Sequence, residues 1–420
     1  MRLRLPAIPA AVAVATGIVL PVFLTGALSV QIRASLHLDE ARLGLAVASF
    51  FLAAALSSAA FGHLVQRIGA VQQMRLALLL SGVCCAAVAL FVRIWWELPL
   101  VLAVGGMANA AGQPAANLLL ARAVKPQRQG LAFGAKQAAI PLATLLAGLA
   151  VPSVALTLGW RFAFVCAAGL AVLAVSVLPV AIRPERHPRS GSGPSDVRSS
   201  RSGEEGLSNM RGAAETFEAR TSEKRKELAT LVVLACAMAL GSAAATSLGA
   251  FVVPACVSAG FRPGTAGLIA ALGSLVGVSA RVVAGMRADK RGGRHLRAVA
   301  LMLASGSIGY LGLALGSQPV DIISVAVAFG AAWGWPGLFN LAVVRTHGHA
   351  PGWATGVTQT GAYAGGVLGP FIFGLVVEHA SYGLAWLVDA GLALAAVGGM
   401  LVARRMLHQR KADQAQRAGQ

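Results

Sequence analysis

The chain has 420 residues, of which 56% are hydrophobic and 12% are charged, about half the charged fraction of an average soluble domain. A net charge of +19 indicates nucleic-acid binding only where the charges share one face of a soluble domain. Here they lie in short segments between long apolar runs. The composition therefore argues against a soluble enzyme and against a nucleic-acid partner, and it predicts a membrane protein.

Twelve apolar runs follow one another along the chain, each roughly 20 residues long, the length of a helix that crosses a bilayer. They are too long, and alternate too rarely, to be strands of a membrane barrel. Helices are the other structure that satisfies its own backbone in lipid. The first run is too long for the apolar part of a signal peptide, so we expect a retained helix. We number the runs as spans 1 to 12, which comprise residues 7–31, 42–62, 76–92, 98–121, 131–155, 161–182, 228–257, 264–286, 298–316, 320–344, 353–377 and 382–403.

The Lys and Arg residues predict the orientation of the chain. With both termini in the cytoplasm, 28 of the 35 lie on the cytoplasmic side, five lie on the opposite side, and Lys136 and Arg281 lie within spans. Because segments rich in Lys and Arg stay in the cytoplasm, we expect a multi-pass protein of the cell (inner) membrane with both termini cytoplasmic. Its basic loops would contact the headgroups of anionic lipids.

A polar segment divides the chain into two halves of six spans each. Residues 183–227 are rich in Arg, Ser, Gly, Glu and Pro, a composition that favours a largely disordered linker on the cytoplasmic side. The predicted organisation is therefore an N-terminal six-helix bundle over 1–182, the linker over 183–227, a C-terminal six-helix bundle over 228–403, and a basic cytoplasmic tail over 404–420.

The two halves align at a nearly constant offset. Because each half has an even number of spans, the halves would be parallel repeats about an axis along the membrane normal. The matched pairs are Gly44 with Gly267, Gly62 with Gly285 and Gly69 with Gly292 at an offset of 223, and Pro114 with Pro336, Gly130 with Gly352, Gly134 with Gly356 and Gln137 with Gln359 at an offset of 222.

A glycine-rich and basic loop motif follows span 2 and recurs after span 8. With the six-plus-six organisation, and with Gly159-Trp160-Arg161 at the start of span 6, it resembles the major facilitator superfamily over the whole chain. Within that family, the bacterial cyanate-like permeases are the subgroup that the chain most resembles. The motif residues are Gly62, Gln66, Arg67 and Gly69 in the first copy, and Gly285, Asp289, Arg291, Gly292 and Arg294 in the second.

The resemblance implies an all-α membrane protein with twelve transmembrane helices in two pseudo-symmetric six-helix bundles. It also implies a secondary transporter that works by alternating access, with an inner gate at the loop motif. In the family an Asp of this motif latches the gate by pairing with basic residues. The first copy has Gln66 at that position, so we expect the latch at Asp289. The alternative is that both motifs are only tight, positively charged loops.

Polar side chains within the spans are costly in lipid and are therefore candidates for function. Asn109, Gln113 and Asn117 follow one another at steps of four, so they share one face of span 4. In the resembled family such helices line a central cavity; hydrogen bonding between helices is the alternative. The residues expected along the substrate pathway are Lys136, Gln137, Asn109, Gln113, Asn117, Trp333, Asn340, Gln359 and Tyr363.

Charge within the spans is scarce. Lys136 either faces the cavity or extends to the membrane surface, and the same two readings apply to Arg281. Asp389 lies in span 12 with an expected structural role, whereas Asp321 and Glu378 lie near span ends. With no convincing carboxylate in the middle of the central spans, the sequence favours an anionic or neutral small solute.

Other classes of function lack their motifs. The chain has no nucleotide-binding glycine loop and no metal-binding spacing of His or Cys, and no catalytic triad can be assembled. We therefore predict a transporter without enzymatic activity, metal or cofactor. We expect it to act as a monomer on a small solute, with protons or a counter-solute as candidate coupling partners. A proton-coupled multidrug efflux pump is the alternative transporter, and a membrane receptor or embedded enzyme is the alternative class.

Overall fold

A computed structural model describes residues 7–125, 128–178, 206–290, 295–346 and 351–418. These parts of the chain form helices joined by short turns, and the described residues contain no strand. The prediction of an all-α fold is confirmed.

The first half contains spans 1 to 6, and two of them are interrupted. Span 1 is interrupted at Leu28, and span 5 is interrupted at Ala138 and ends in a π-helical turn. The helices are Ala7–Ala27 and Ser29–Leu36 in span 1, Glu40–Ile68 in span 2, Ala70–Leu90 in span 3, Glu97–Ala123 in span 4, Gln129–Gln137, Ala139–Ala150 and the π turn Val151–Ala155 in span 5, and Trp160–Val177 in span 6.

The second half contains spans 7 to 12, and span 10 is interrupted in its middle by a π turn. The helices are Gly206–Ser258 in span 7, Pro263–Lys290 in span 8, His295–Ala314 in span 9, Gln318–Val327, the π turn Ala328–Ala332 and Pro336–Thr346 in span 10, Pro351–His379 in span 11, and Tyr382–Ala418 in span 12.

Ten helical segments of the described chain are long and apolar enough to cross a membrane. The other two spans differ for physical reasons. Glu97–Ala123 is long enough, but the polar residues that predicted a functional face lower its hydropathy, and Trp160–Val177 is apolar but shorter. Together these segments give the twelve membrane spans that the sequence predicts.

Helical structure extends beyond the predicted ends of the second bundle. Span 7 starts at Gly206, inside the stretch predicted to be a disordered linker, and span 12 continues to Ala418 through the predicted tail. The first extension is rich in Ala, Glu, Lys and Arg, and the second is rich in Arg, Gln and Ala; all of these residues favour helices. They approach each other where Arg410 forms a 3.7 Å ion pair with Glu227. The remainder of the predicted linker, residues 183–205, lies outside the described residues.

The two halves meet along two antiparallel pairs of spans. Span 5 packs on span 8, with the backbone of Gly148 against that of Gly267. Span 2 packs on span 11, with Gly44 against the backbone of Pro370. The offset of 222–223 converts the first contact into the second, so the contacts are pseudo-symmetric. Small residues let helix backbones approach closely in lipid, where packing drives association.

One end of this arrangement is not symmetric. We call the side of the bundle on which span 1 begins and span 12 ends the terminal side. Near that side, Gly134 of span 5 lies directly against Gly285 of span 8. The equivalent positions on spans 2 and 11 are Gly62 and Gly356, and neither has a described heavy atom within 4 Å of where a Cβ would lie. Near the terminal side, the interface of spans 5 and 8 is therefore closely packed, whereas the interface of spans 2 and 11 is open.

The close packing of spans 5 and 8 gives a stability prediction. A side chain at Gly148 would overlap with the carbonyl oxygen of Gly267, whereas a side chain at Gly169 in span 6 meets no described atom within 4 Å. Gly148→Val should therefore destabilise the protein by about 1–3 kcal/mol through overpacking, while Gly169→Val should not. Thermal unfolding of both variants in the same detergent tests this, and equal melting temperatures would contradict the proposed interface.

Candidate substrate pathway

A chain of polar side chains connects spans 4 and 5. Lys136 is only 4% exposed, and its ammonium group donates a hydrogen bond to Oε1 of Gln113. Gln113 in turn donates from Nε2 to Oδ1 of Asn109 at 3.1 Å. The spacing of four residues on one helix places Asn109 and Gln113 in reach of each other. The structure thus joins three of the predicted pathway residues in one network.

Span 5 is broken next to Lys136 because of a proline. In an unbroken helix the carbonyl of Gln137 would accept from the residue four positions later. That residue is Pro141, which has no N–H group, so the Gln137 carbonyl is left without a helical partner. The break therefore leaves an unpartnered backbone acceptor at Gln137, the residue that follows Lys136.

Arg281 of span 8 satisfies this acceptor. One terminal nitrogen of its guanidinium donates to the carbonyl of Gln137. The other terminal nitrogen and Nε, the latter at 2.9 Å, both donate to the carbonyl of Trp333. The side chain is 1% exposed and lies 5.6 Å from the centroid of the Trp333 ring. One arginine thus joins the break in span 5 to the break in span 10, across the two halves.

The break in span 10 ends at a proline, where the helix Pro336–Thr346 begins. Pro336 has no N–H group to offer the carbonyl of Ala332, and the indole Nε1 of Trp335 donates to that carbonyl at 2.9 Å instead. Trp333 ends the π turn, and its ring contacts Phe329 of the same span at 5.2 Å and Phe23 of span 1 at 5.4 Å. These aromatic contacts hold span 1 against the break.

The buried charges described in this region are both positive. Lys136 and Arg281 are both buried, and Arg281 binds the residue next to Lys136, so the two cations occupy the same level of the bundle. Among the described residues, no carboxylate lies within ion-pair distance of either. Both cations donate hydrogen bonds to neutral acceptors, so no described negative charge cancels their positive charges. An anion would therefore be favoured here over a cation.

The other predicted pathway residues lie apart from this network. Asn117 is exposed, and Asn340 and Gln359 are half-buried, with no hydrogen bond to the network among the described residues. Tyr363 is buried in a small apolar cluster that includes Ala54 of span 2 and Ala110 of span 4. It therefore lies at the contact between spans 2, 4 and 11. A substrate role for these four residues stays a prediction.

The predicted gate is described only in part. Gln66 and Arg67 are exposed in the last turn of span 2, and Gly69 ends that helix with a φ of +84°, a conformation that favours glycine. Gly62 lies in the open part of the span 2 interface and Gly285 in the closed part of the span 8 interface. Asp289 belongs to the last turn of span 8. The remaining gate residues, Arg291, Gly292 and Arg294, lie outside the described residues, and the latch stays a prediction.

The residue that sequence reasoning missed is Arg281, which it left open between cavity and membrane surface. One signal in the sequence could have identified it. Pro141 frees the carbonyl of Gln137 within a span, and a freed carbonyl in lipid requires a donor from elsewhere. An arginine on a neighbouring span is the residue with enough donors to serve two breaks.

Two six-span halves, packed through antiparallel pairs of glycine-rich spans around a buried polar centre, define a two-bundle membrane transport protein. The chain belongs to the Major Facilitator Superfamily, whose family model matches residues 10–361. The family prediction is thereby confirmed.

Individual proteins are similar at lower identity. An uncharacterized MFS-type transporter of Mycobacterium tuberculosis is 26% identical over 347 residues, which cover 80% of this chain and 71% of that protein, and its counterpart in a second strain gives the same values. The crystal structure of a D-xylose-proton symporter has the same fold, with a TM-score of 0.68 and 17% identity over 94% of this chain and 96% of that chain. The resemblance to cyanate-like permeases stays a prediction.

The double role of Arg281 gives a second prediction. Arg281→Met should leave the carbonyls of Gln137 and Trp333 buried without donors, which costs about 1–3 kcal/mol for each group. Arg122, exposed at the end of span 4, provides the control, because Arg122→Met removes a charge without orphaning a described buried group. Thermal unfolding of the two variants measures the difference, and an Arg281→Met protein as stable as the control would contradict the linking role.

Proposed function

We propose that this protein is a secondary transporter of a small organic or inorganic anion, working by alternating access in the plasma membrane with both termini in the cytoplasm. The observation that carries the proposal is the pair of buried cations, Lys136 and Arg281, without a described carboxylate beside them. A neutral solute could hydrogen-bond to the same region, but it would not use the uncancelled charge.

The two cations have different parts in this proposal. The donors of Arg281 are directed at backbone carbonyls, so releasing them would leave the breaks in spans 5 and 10 unsatisfied. The partner of Lys136 is the side chain of Gln113, which can rotate to another partner. An anionic substrate would therefore bind Lys136 directly, with Asn109 and Gln113 as neutral hydrogen-bonding neighbours, while Arg281 would contribute its field.

The unequal packing of the two interfaces supports alternating access. Spans 2 and 11 are separated near the terminal side, at Gly62 and Gly356, whereas they are packed at Gly44 and Pro370 on the other side. An opening on one side of the bundle and close packing on the other is the arrangement expected when two halves rock about a central site.

A proton-coupled efflux pump for cationic drugs is the weaker candidate. It would need a carboxylate facing the central site to attract the drug, and the described carboxylates nearest the bilayer interior lie elsewhere. Asp389 is buried in span 12 beside Leu392 and Phe373. Protons are a candidate coupling ion for an anion as well, since a protein of the same fold is a D-xylose-proton symporter.

Transport assays on purified protein in liposomes test the proposal. A panel of labelled carboxylates, phosphate and sulfate, with glycerol and glucose as neutral solutes, should give uptake of at least one anion. Lys136→Gln should reduce that uptake about tenfold or more, because a charge-assisted interaction worth about 1.5–3 kcal/mol is lost. Lys136→Arg should retain part of it. Lys125→Gln removes an exposed ammonium group near the same side of the membrane and should leave uptake unchanged.

Two results would contradict an anionic substrate. One is saturable uptake of neutral or cationic solutes with none of any anion. The other is an unchanged apparent affinity for the transported anion in Lys136→Gln, which would reduce Lys136 to a packing residue.

The predicted latch is tested with the same assay. Asp289→Asn should lower uptake about tenfold or more while the protein still reaches the membrane, because an ionised carboxylate in a charge-assisted bond is worth about 1.5–3 kcal/mol. Gln66→Ala is the matched change in the first repeat and should have a smaller effect, since a neutral amide contributes less. Wild-type rates in Asp289→Asn, at equal abundance in the membrane, would rule out the latch.

A further inference from the structure

A cavity lies on the side of the bundle opposite the termini, away from the Lys136 network. Its volume is about 540 Å³, and the ends of spans 7, 9 and 11 meet the beginnings of spans 2, 10 and 12 around it. The side chains that matter for its chemistry are Glu40, Asp321, Glu378, Tyr382 and Trp386. A volume of this size is typical of sites for small organic molecules.

Asp321 is the unexplained group in this cavity. The residue is 2% exposed, and its Oδ1 has no hydrogen-bond partner among the described residues. The first turn of the helix Gln318–Val327 places it at the cavity wall. A buried carboxylate without a partner is unfavourable in the empty site, and a cationic ligand in the cavity would remove that cost.

The partners of the other two carboxylates do not bring a positive charge to Asp321. Glu40 forms an ion pair with Arg33 of span 1 and accepts a long hydrogen bond of 3.5 Å from the Tyr382 hydroxyl. Glu378 accepts the backbone N–H of Glu40 at 3.2 Å. No described cation lies within ion-pair distance of Asp321 or Glu378. The lining of the cavity is therefore net negative.

The remaining lining favours an organic cation over a metal ion. No group of three or more His, Cys, Asp and Glu among the described residues is placed to hold a metal. Two aromatic side chains, Tyr382 and Trp386, reach the cavity instead. The Trp386 ring is fixed by Phe373 at 4.6 Å and by Tyr310 at 6.0 Å. Aromatic rings near a carboxylate are the surroundings in which ammonium groups bind.

We propose that this cavity is a binding site for an ammonium group, with Asp321 as its counter-ion and Tyr382 and Trp386 as its aromatic walls. The group would belong either to a small soluble amine or to the amine headgroup of a lipid. The site is separate from the proposed anion pathway and does not depend on it.

Choline is a suitable probe, because 3,3-dimethyl-1-butanol has the same shape without the charge. The purified full chain in phosphatidylglycerol nanodiscs should bind choline saturably in a calorimetric titration, and should bind the neutral alcohol about tenfold or more weakly. Equal binding of both, or no binding of choline, would overturn the proposal without requiring any variant.

Asp321→Asn keeps the shape of the side chain and removes its charge. It should weaken choline binding about tenfold or more, as expected for the loss of one partner of a buried charge pair. Glu97→Gln is the matched control, since Glu97 is a half-buried carboxylate at the start of span 4, on the same side of the bundle, and does not line the cavity. A monodisperse Asp321→Asn protein with unchanged choline affinity would also overturn the proposal.

The lipid composition of the nanodiscs distinguishes a soluble amine from a lipid headgroup as the source of the ammonium group. In nanodiscs that contain phosphatidylethanolamine, a headgroup in the site would compete with choline and weaken its apparent affinity relative to phosphatidylglycerol alone. An unchanged affinity would assign the site to a soluble amine. Either result, together with discrimination against the neutral alcohol, supports recognition of an ammonium group at Asp321.

Discussion

The central part of this structure depends on one constraint: a backbone carbonyl within the bilayer must have a donor. Pro141 and Pro336 lack the N–H groups from which the carbonyls of Gln137 and Ala332 would normally accept a hydrogen bond. The indole of Trp335 repairs one of these breaks locally. The other is repaired from span 8 by Arg281, whose fork of donors also reaches the carbonyl of Trp333. A fixed positive charge at the centre of the protein is thus a consequence of how its helices are broken.

This constraint separates two buried cations that look alike in the sequence. The hydrogen bonds of Arg281 run to backbone atoms whose positions are set by the helices, so its charge is part of the architecture. Lys136 bonds to the side chain of Gln113, and side chains can exchange partners by rotation about single bonds. One charge therefore supplies a permanent field and the other a replaceable contact. Under the proposed function, the fixed charge would attract the anion, and the exchangeable contact would let it leave again.

The parts of the fold that were predictable from sequence are those set by local composition. Apolar length predicts the spans, and four-residue spacing brings Asn109 and Gln113 together. The parts that were missed depend on neighbours: the contact of Arg281 with two other spans cannot be read from span 8 alone. Asn340 and Gln359 were also expected along the pathway, but the sequence does not fix how their helices are rotated toward the centre. The helix that begins at Gly206 was missed because a charged composition was read as disorder, although its residues are good helix formers.

The internal repeat explains both the symmetry of the bundle and where that symmetry fails. Equivalent small residues at Gly44 and Gly267 give equivalent close contacts, so the sequence encodes two similar interfaces. Yet Gly134 and Gly285 touch, while their counterparts Gly62 and Gly356 do not. The same pattern therefore permits contact without enforcing it, as interfaces that form and separate in turn require. The closed interface is the one that Arg281 crosses, because its bond to Gln137 joins the halves beside Lys136. Any separation of spans 5 and 8 at this level must break that bond and leave the carbonyl of Gln137 without its donor. Under the proposed function, this would connect movement of the interface to the site at Lys136.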